Sequence, residues 1–200
     1  MIIRRATETD EAALSRICLL TADAGQSAEA LHDFGELPGF CYAVPYIKLP
    51  TTWAFVLVDE GDNAVGYVVG STDTRTFEKY AAEHWYPALA EKYPPSRATK
   101  PADIRYTNLL RHKDTAPEAN VHFSYAHLHI NILPEYQRQG WGRRLIGVAV
   151  SCLKDSGFDR VWLGIDLRNE PAKLFYARLG FKPIEGAQEG NLGLKFEDFV

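Results

Sequence analysis

Residues Ala126 to Leu133 alternate: Leu128, Ile130 and Ile132 fall on one face and His127, His129 and Asn131 on the other, the period of a strand with one buried and one polar side. Other segments fall into place around it. Ile2 to Ala6 reads as a short strand, and Thr7 or Thr9 ahead of DEAALSRICLL supplies a helix start with early acids that oppose the helix dipole. TWAFVLVDE and AVGYVVGST are β-branched and aromatic runs separated by Gly61, Asp62 and Asn63, which predicts an antiparallel hairpin placed centrally in a sheet. After Pro134, Leu145, Val148, Ala149, Cys152 and Leu153 recur at helical spacing up to a stop at Gly157. Val161, Leu163 and Ile165 form another strand. Glu170-Pro171 then opens a helix with Ala172, Phe175 and Leu179 on its apolar face and Gly180 at its end, and Phe181 to Ile184 and Leu192 to Phe196 close the sheet.

Two stretches interrupt this pattern. Residues 25 to 50 are broken by Gly35, Pro38, Gly39, Pro45 and Pro50 and read as a loop over a site, with a helical turn or two at AEALHDF. An insertion then runs from Thr74 to Ala119. Its first part sets Phe77, Tyr80, Ala81, Trp85 and Leu89 at helical spacing, with Pro87 predicted to kink or split the helix and Pro94-Pro95 to end it. Residues 96 to 120 are polar and rich in turn formers, and a structureless stretch of that length in a compact domain is usually functional, so it is expected beside a substrate cleft.

Composition narrows the function classes. A chain of 200 residues, 46% hydrophobic and 24% charged, suits one domain spanning 1 to 200 with an insertion and argues against a disordered or fibrous protein. Its net charge of -4 and lack of a Lys/Arg stripe disfavour nucleic acid or an anionic membrane as partner. Arg4 and Arg5 are followed by no apolar leader, and no segment approaches bilayer length, so a soluble, cytoplasmic protein is expected. Cys18, Cys41 and Cys152 are odd in number and widely spaced, which suggests neither a disulfide framework nor a zinc site, and no metal is expected.

The chemistry concentrates at Gln137-Arg138-Gln139-Gly140-Trp141-Gly142, followed by Arg143-Arg144, where glycines start a helix directly after a strand. Unsatisfied N–H groups and the positive dipole end make such a turn a phosphate site, and glycine lets a pyrophosphate approach without a Cβ in the way. On these glycines alone a ligand-free tight turn is an equal alternative. A dinucleotide fingerprint needs GxGxxG and a P-loop needs GK[ST], and the chain has neither.

HINILPEYQRQGWGRRLI resembles the acetyl-CoA-binding segment of GNAT N-acetyltransferases, whose signature is Gln or Arg, two residues, Gly, one residue, then Gly or Ala. Asn169 to Phe181 resembles that family's Asn…Ala…Phe-Tyr…Leu-Gly-Phe segment. With the opening strand and helix and the hairpin at 53 to 71, the resemblance covers most of the chain apart from the insertion. It implies an α/β (α+β) fold with a mixed, mostly antiparallel sheet of six to seven strands flanked by helices, and transfer of acetyl from acetyl-CoA to a primary amine by direct attack in a ternary complex. TRTFEKYAAEHWYPALAEKYP together with SYAHLHINILPEYQRQGWGRRL is similar to the acetyltransferase-like domains related to the C-terminal region of O-GlcNAcases. Some of those domains are thought to have lost catalysis, so the alternative is an inactive module that binds, or has lost, acyl-CoA and serves protein interaction.

The resemblance also implies roles. Backbone groups of Ile132 and Leu133 would hold the pantetheine arm and acyl carbonyl, and Gln137, Arg138, Gln139, Gly140, Trp141, Gly142, Arg143 and Arg144 the pyrophosphate. Asn169, Lys173 and Phe175 would meet coenzyme A from the next helix, with N-capping an equal role for Asn169. Tyr176 is the candidate general acid, since a phenol of pKa about 10 stays protonated at neutral pH; its alternative is packing beside Phe175. Many relatives place a Glu on the strand before the glycine turn. This strand has none, which leaves His127 and His129, of ordinary pKa about 6.5, as candidate bases for an ammonium of pKa near 10. Trp85, Tyr86 and Asp73, with His84 and Tyr93, are candidates for the acceptor pocket, an aromatic stripe at helical spacing being otherwise core. Cys152 lies on an apolar helix face, which disfavours a covalent acyl-enzyme. A small-molecule amine and a protein lysine both suit as acceptor, and a monomer and a homodimer are equally compatible with the sequence.

Overall fold

In the computed structural model, which describes residues 1–112 and 114–200, the hairpin occupies the middle of the sheet because neither of its strands offers a polar face. Lys113, inside the expected insertion, lies outside the described residues. β2 (Thr52–Val58) and β3 (Ala64–Ser71) bury Val56, Leu57, Tyr67, Val68 and Val69 on both sides, so both faces of the sheet must be covered. β1 (Ile2–Arg5) pairs antiparallel with β2. β4 (His127–Ile132) pairs antiparallel with β3 along its whole length, from Gly66↔Ile132 to Ser71↔His127. β5 (Arg160–Gly164) runs parallel to β4, while β7 (Asn191–Lys195) pairs antiparallel with β5 and with β6 (Lys182–Pro183). The order is β1-β2-β3-β4-β5-β7-β6, a mostly antiparallel sheet of seven strands, as the family resemblance implies.

Helices cover the two faces with separate cores. α7 (Trp141–Asp155) buries Leu145, Ile146, Ala149 and Leu153 against Leu57, Leu128, Val161 and Leu163, and Tyr176 and Leu179, from the segment of α8 (Glu170–Arg178), join the same cluster. On the opposite face α1 (Glu11–Leu19) buries Leu14, Ile17 and Cys18 against Val56, Tyr67 and Val69. The Thr7 start holds: Thr7 N–H donates to Asp10 Oδ2 at 2.8 Å, and the Arg4 guanidinium donates to both Asp10 oxygens at 2.9 Å. No helix among the described residues is long and apolar enough to cross a membrane.

The insertion and the 25 to 50 segment share a third core of Leu37, Cys41, Ala81, Tyr86, Tyr93 and Leu110. Residues 25 to 50 are more helical than expected, with α2 (Leu37–Tyr42) tolerating Pro38 in its first turn, where the missing N–H costs nothing. The predicted kink at Pro87 takes a specific form. α3 (Thr74–Tyr80) continues through a π turn, Ala81–Trp85, into α4 (Tyr86–Lys92). Proline lacks an N–H and crowds the carbonyl four residues back, and a widened turn relieves both problems without ending the helix.

The expectation of an unstructured 96 to 120 is corrected by α5 (Pro101–Leu109) and α6 (Glu118–Phe123). α5 is docked by polar residues. It buries Asp103 and Thr107 and leaves Ile104 exposed, and Asp103 Oδ1 lies 2.6 Å from His32 Nδ1 while Oδ2 accepts the Asp33 N–H at 2.7 Å. Apolar periodicity does not register such a helix.

Candidate active site

The first component is a parting of two strands. β4 and β5 register at a single pair, His127↔Trp162, beside which Trp162 N–H donates to Ala126 O at 3.2 Å, and no further pair forms although both strands continue. Leu133 N–H donates toward β3, to Val65 O at 2.9 Å, so by strand alternation the peptide groups of Leu128, Ile130 and Ile132 face the β5 side. A strand edge left without its ladder is a row of donors and acceptors for an extended, amide-bearing ligand. Within that row Ile132 O is taken by Gln137 Nε2 at 2.8 Å, and Leu133 has spent its N–H, which leaves the N–H groups of Ile130 and Ile132 turned to the wedge, Ile132 nearer the glycine turn.

The second component is the start of α7. Gly140, at φ +82°, caps the helix, and a Cβ built there would meet nothing within 4 Å, so the space beside it is open. Gly142 is needed for the opposite reason, since its Cβ would sit 2.8 Å from Cζ of Phe175 on α8. Arg144 N–H makes the first bond back along the helix, to Gly140 O at 3.3 Å, so the amides of Trp141, Gly142 and Arg143 present the positive dipole end. This cradle fits a pyrophosphate through its backbone. The side chains here are engaged within the fold: Arg143 Nε donates to Val200 O at 2.8 Å, Arg144 stacks over Trp141 at 4.5 Å, and Gln139 Nε2 donates to Glu135 O at 3.0 Å. Arg138 is exposed, at φ +57°.

α8 brings the second motif against the first. Asn169 Oδ1 accepts the Ala172 N–H at 3.1 Å and so caps the helix, and Lys173 pairs with Glu170 at 2.6 Å. Tyr176 is 8% exposed and packs between Phe175 and Phe181 at 5.1 and 5.2 Å. Burial pushes its phenol well above the usual value, so it holds its proton as a donor must.

The third component is a cavity of about 460 Å³ on the other face of β4. His127 and His129 line it, with Tyr42 and Tyr46 from the 25 to 50 segment, Thr74, Phe77 and Glu78 from α3, and Arg105 from α5. His127 is buried, with Nδ1 2.7 Å from Thr74 Oγ1 and Nε2 2.8 Å from Tyr46 Oη. The same Tyr46 oxygen is 3.1 Å from His129 Nε2. The tyrosines are pushed up by burial, Tyr42 to about 12 and Tyr46 well above its ordinary value. Asn131, on the same strand face, is committed elsewhere and donates to Tyr67 Oη at 2.6 Å.

Trp85, Tyr86 and Asp73, the residues expected at an acceptor pocket, do not line this cavity. Trp85 Nε1 donates to Phe40 O at 2.9 Å, and Tyr86 is buried in the third core. Asp73 caps α3 by accepting the Thr76 N–H at 3.0 Å, and it lines a separate surface depression with Tyr125 and Phe158. His84 is exposed against Tyr80, and the Tyr93 hydroxyl donates to Glu36 at 2.6 Å. The aromatic stripe served packing. Tyr42, Tyr46 and Arg105 line the cavity instead, and no periodic signal marks them, because two sit in a proline-broken segment and the third on a polar helix.

A mostly antiparallel mixed sheet that parts beside a glycine-started helix, with a cavity on the far face, is the architecture that its relatives place in a family. The acetyltransferase (GNAT) family model matches residues 104–181, which hold both motifs. The solved structure of SsHAT superposes with a TM-score of 0.84 at 31% identity, covering 98% of each chain. The chain belongs to the GNAT acetyltransferase family. An uncharacterized N-acetyltransferase of Mycobacterium tuberculosis is 37% identical over 98 residues, 48% of this chain and 57% of that protein. The ribosomal protein bS18-alanine N-acetyltransferase of Haemophilus influenzae is 36% identical over 56 residues, 28% of this chain and 38% of its own. The chain thus spans about half the length, or less, of the curated relatives it matches. The yncA protein of Salmonella typhimurium, solved with its cofactor acetyl-CoA, shares the fold at a TM-score of 0.53 and 15% identity, over 98% of this chain and 93% of its own.

Proposed function

We propose that the chain is an N-acetyltransferase that moves acetyl from acetyl-CoA to a primary amine, a small molecule or a protein lysine, by direct attack within one ternary complex. The observation that carries this reading is the placement of the strand wedge between two differently equipped faces of β4. Tyr176 belongs to the core on the side of Leu128 and Ile132, and the two histidines line the cavity on the other side. Acetyl-CoA supplies an acyl group already activated as a thioester. The amides of Gly140 to Arg143 hold its pyrophosphate, Phe175 packs against the same helix start, Asn169 meets the cofactor from the start of α8, and the Ile132 N–H orients the acyl carbonyl. An alkyl ammonium of pKa near 10 attacks only after losing a proton, and His129, backed by His127, takes it; the Tyr176 phenol returns a proton to the departing sulfur. In this reading residues 1 to 200 form one acetyltransferase domain, and its 74 to 119 insertion roofs the acceptor cavity.

Release of free CoA thiol from acetyl-CoA, followed over a panel of alkylamines, amino sugars and lysine peptides, tests it. Amine-dependent release is expected, with kcat lowered on the order of 10²-fold or more in Tyr176→Phe. A folded protein that binds acetyl-CoA yet releases no thiol with any amine would overturn the enzymatic reading in favour of the inactive module.

A further inference from the structure

His127 and His129 stand two positions apart on one strand face with ring centroids 5.9 Å apart, and the phenol oxygen of Tyr46 contacts Nε2 of each, at 2.8 and 3.1 Å. The far end of the chain of contacts fixes its direction. Tyr125 O is a carbonyl and can only accept; it takes the Thr74 N–H at 2.9 Å and the Thr74 hydroxyl at 2.7 Å. With its one hydroxyl proton so used, Thr74 Oγ1 accepts from His127 across 2.7 Å, which places the His127 proton on Nδ1. Neutral His127 then offers a lone pair at Nε2, Tyr46 donates to it, and the Tyr46 oxygen accepts from His129 Nε2–H. Neutral His129 therefore carries its lone pair on Nδ1. These tautomers satisfy the named contacts of Tyr125, Thr74, His127, Tyr46 and His129 at once.

We propose that Tyr46 is a positioning residue that joins the two histidines into one base, so that a proton taken at His129 is stored on His127. The catalytic use of this device rests on the acyl-transfer reading above; its existence rests on the contacts alone. The step balances. The ammonium N–H, the His129 Nε2–H and the Tyr46 O–H break, while a His129 Nδ1–H, a new Tyr46 O–H and a His127 Nε2–H form. The positive charge ends on His127, which donates to Thr74 and to Tyr46, and every hydrogen bond survives with the two at Tyr46 reversed. Tyr46 is neutral before and after, consistent with the burial that keeps its phenol protonated. Stacking on Phe77 at 4.7 Å and 13° holds its ring in place.

The groups facing the pair are Cys41 and Tyr42 on α2, Glu78 on α3, Arg105 on α5, and His112 and Asp114 beyond it. Of these, Glu78 is itself paired with Arg75 at 2.9 Å.

Long-range ¹H–¹⁵N spectra of the full chain, with both imidazoles assigned and followed through a pH titration, test the proposal without an acceptor. Expected are the Nδ1–H tautomer for His127, the Nε2–H tautomer for His129, and a first proton that appears on His127 while the His129 signals move with it. In Tyr46→Phe the two rings should titrate independently and His129 should lose its fixed tautomer. Thr74→Ser should keep the wild-type pattern and Thr74→Val should release the His127 tautomer, which serves should Tyr46→Phe fold poorly. A wild-type His129 in the Nδ1–H form, or titrations unaltered by both Tyr46→Phe and Thr74→Val, would overturn it. With an amine from the thiol-release panel, Tyr46→Phe should lower kcat on the order of 10-fold or more with the KM for acetyl-CoA unchanged. Absent thiol release in the presence of the wild-type spectra would count against acyl transfer, and present release with the wrong tautomers against Tyr46.

Discussion

At the scale of single residues, the missing Cβ of Gly142 joins the two motifs of the site. Its Cβ would lie 2.8 Å from the Phe175 ring, so Gly142→Ala must push α8 away from the start of α7. Overpacking of this kind costs about 1–3 kcal/mol, and denaturant unfolding should find that loss in Gly142→Ala and much of it recovered in Gly142→Ala with Phe175→Leu. Asp10 is the corresponding case for charge. The Arg4 guanidinium first, and then the Thr7 N–H, hold its carboxyl below the usual carboxylate value despite its burial. A folded-state value below the unfolded one near 3.9 gives stability that is complete above about pH 4 to 5 and is lost as the pH falls toward the folded value. Arg4 stays charged throughout this range, so the dependence belongs to Asp10. Urea midpoints measured across the carboxylate range should therefore fall less steeply with acid in Asp10→Asn than in the wild type, and parallel curves would contradict the assignment.

Individual elements differ in how far the sequence discloses them, and the reason lies in what docks each one. β2, β3, β4 and α7 bury apolar side chains at the period of their own backbone, and their positions and pairing follow from that period. α5 instead sinks Asp103 into contact with His32 and the Asp33 N–H, with side-chain exposures of 0% and 2% for Asp103 and His32. Asp103→Ala would strand both partners at a cost of about 1–3 kcal/mol, seen as faster amide exchange confined to α5 and to residues 29 to 33. Exchange that rises evenly over the whole sheet would refute this docking. The site divides along the same line. The glycine turn, Asn169 and Tyr176 are local motifs and legible as such. Tyr46 is not, because its partner His127 lies 81 positions away and only the folded chain brings them together. Trp85 and Tyr86 misled because aromatic residues at helical spacing satisfy a core as well as a pocket.

On the scale of the whole molecule, a sheet with both faces covered is open in its interior at the wedge where β4 and β5 stop pairing. The α7 start and Tyr176 belong to the layer on one face of the sheet, and the histidine pair to the cavity beneath the insertion on the other. Membership of the GNAT family, the open space at Gly140 and the amides of the first turn of α7 converge on one claim, that this chain docks acyl-CoA by its pyrophosphate at the start of α7. Calorimetric titration of the purified chain with acetyl-CoA and with desulfo-CoA tests it most directly, repeated on Gly140→Glu, in which a carboxylate occupies the phosphate position. Saturable one-to-one binding of both ligands by the wild type, abolished in a variant that still melts cooperatively, is the predicted result; a folded wild-type chain that binds neither, or a Gly140→Glu chain that binds both unchanged, would contradict it.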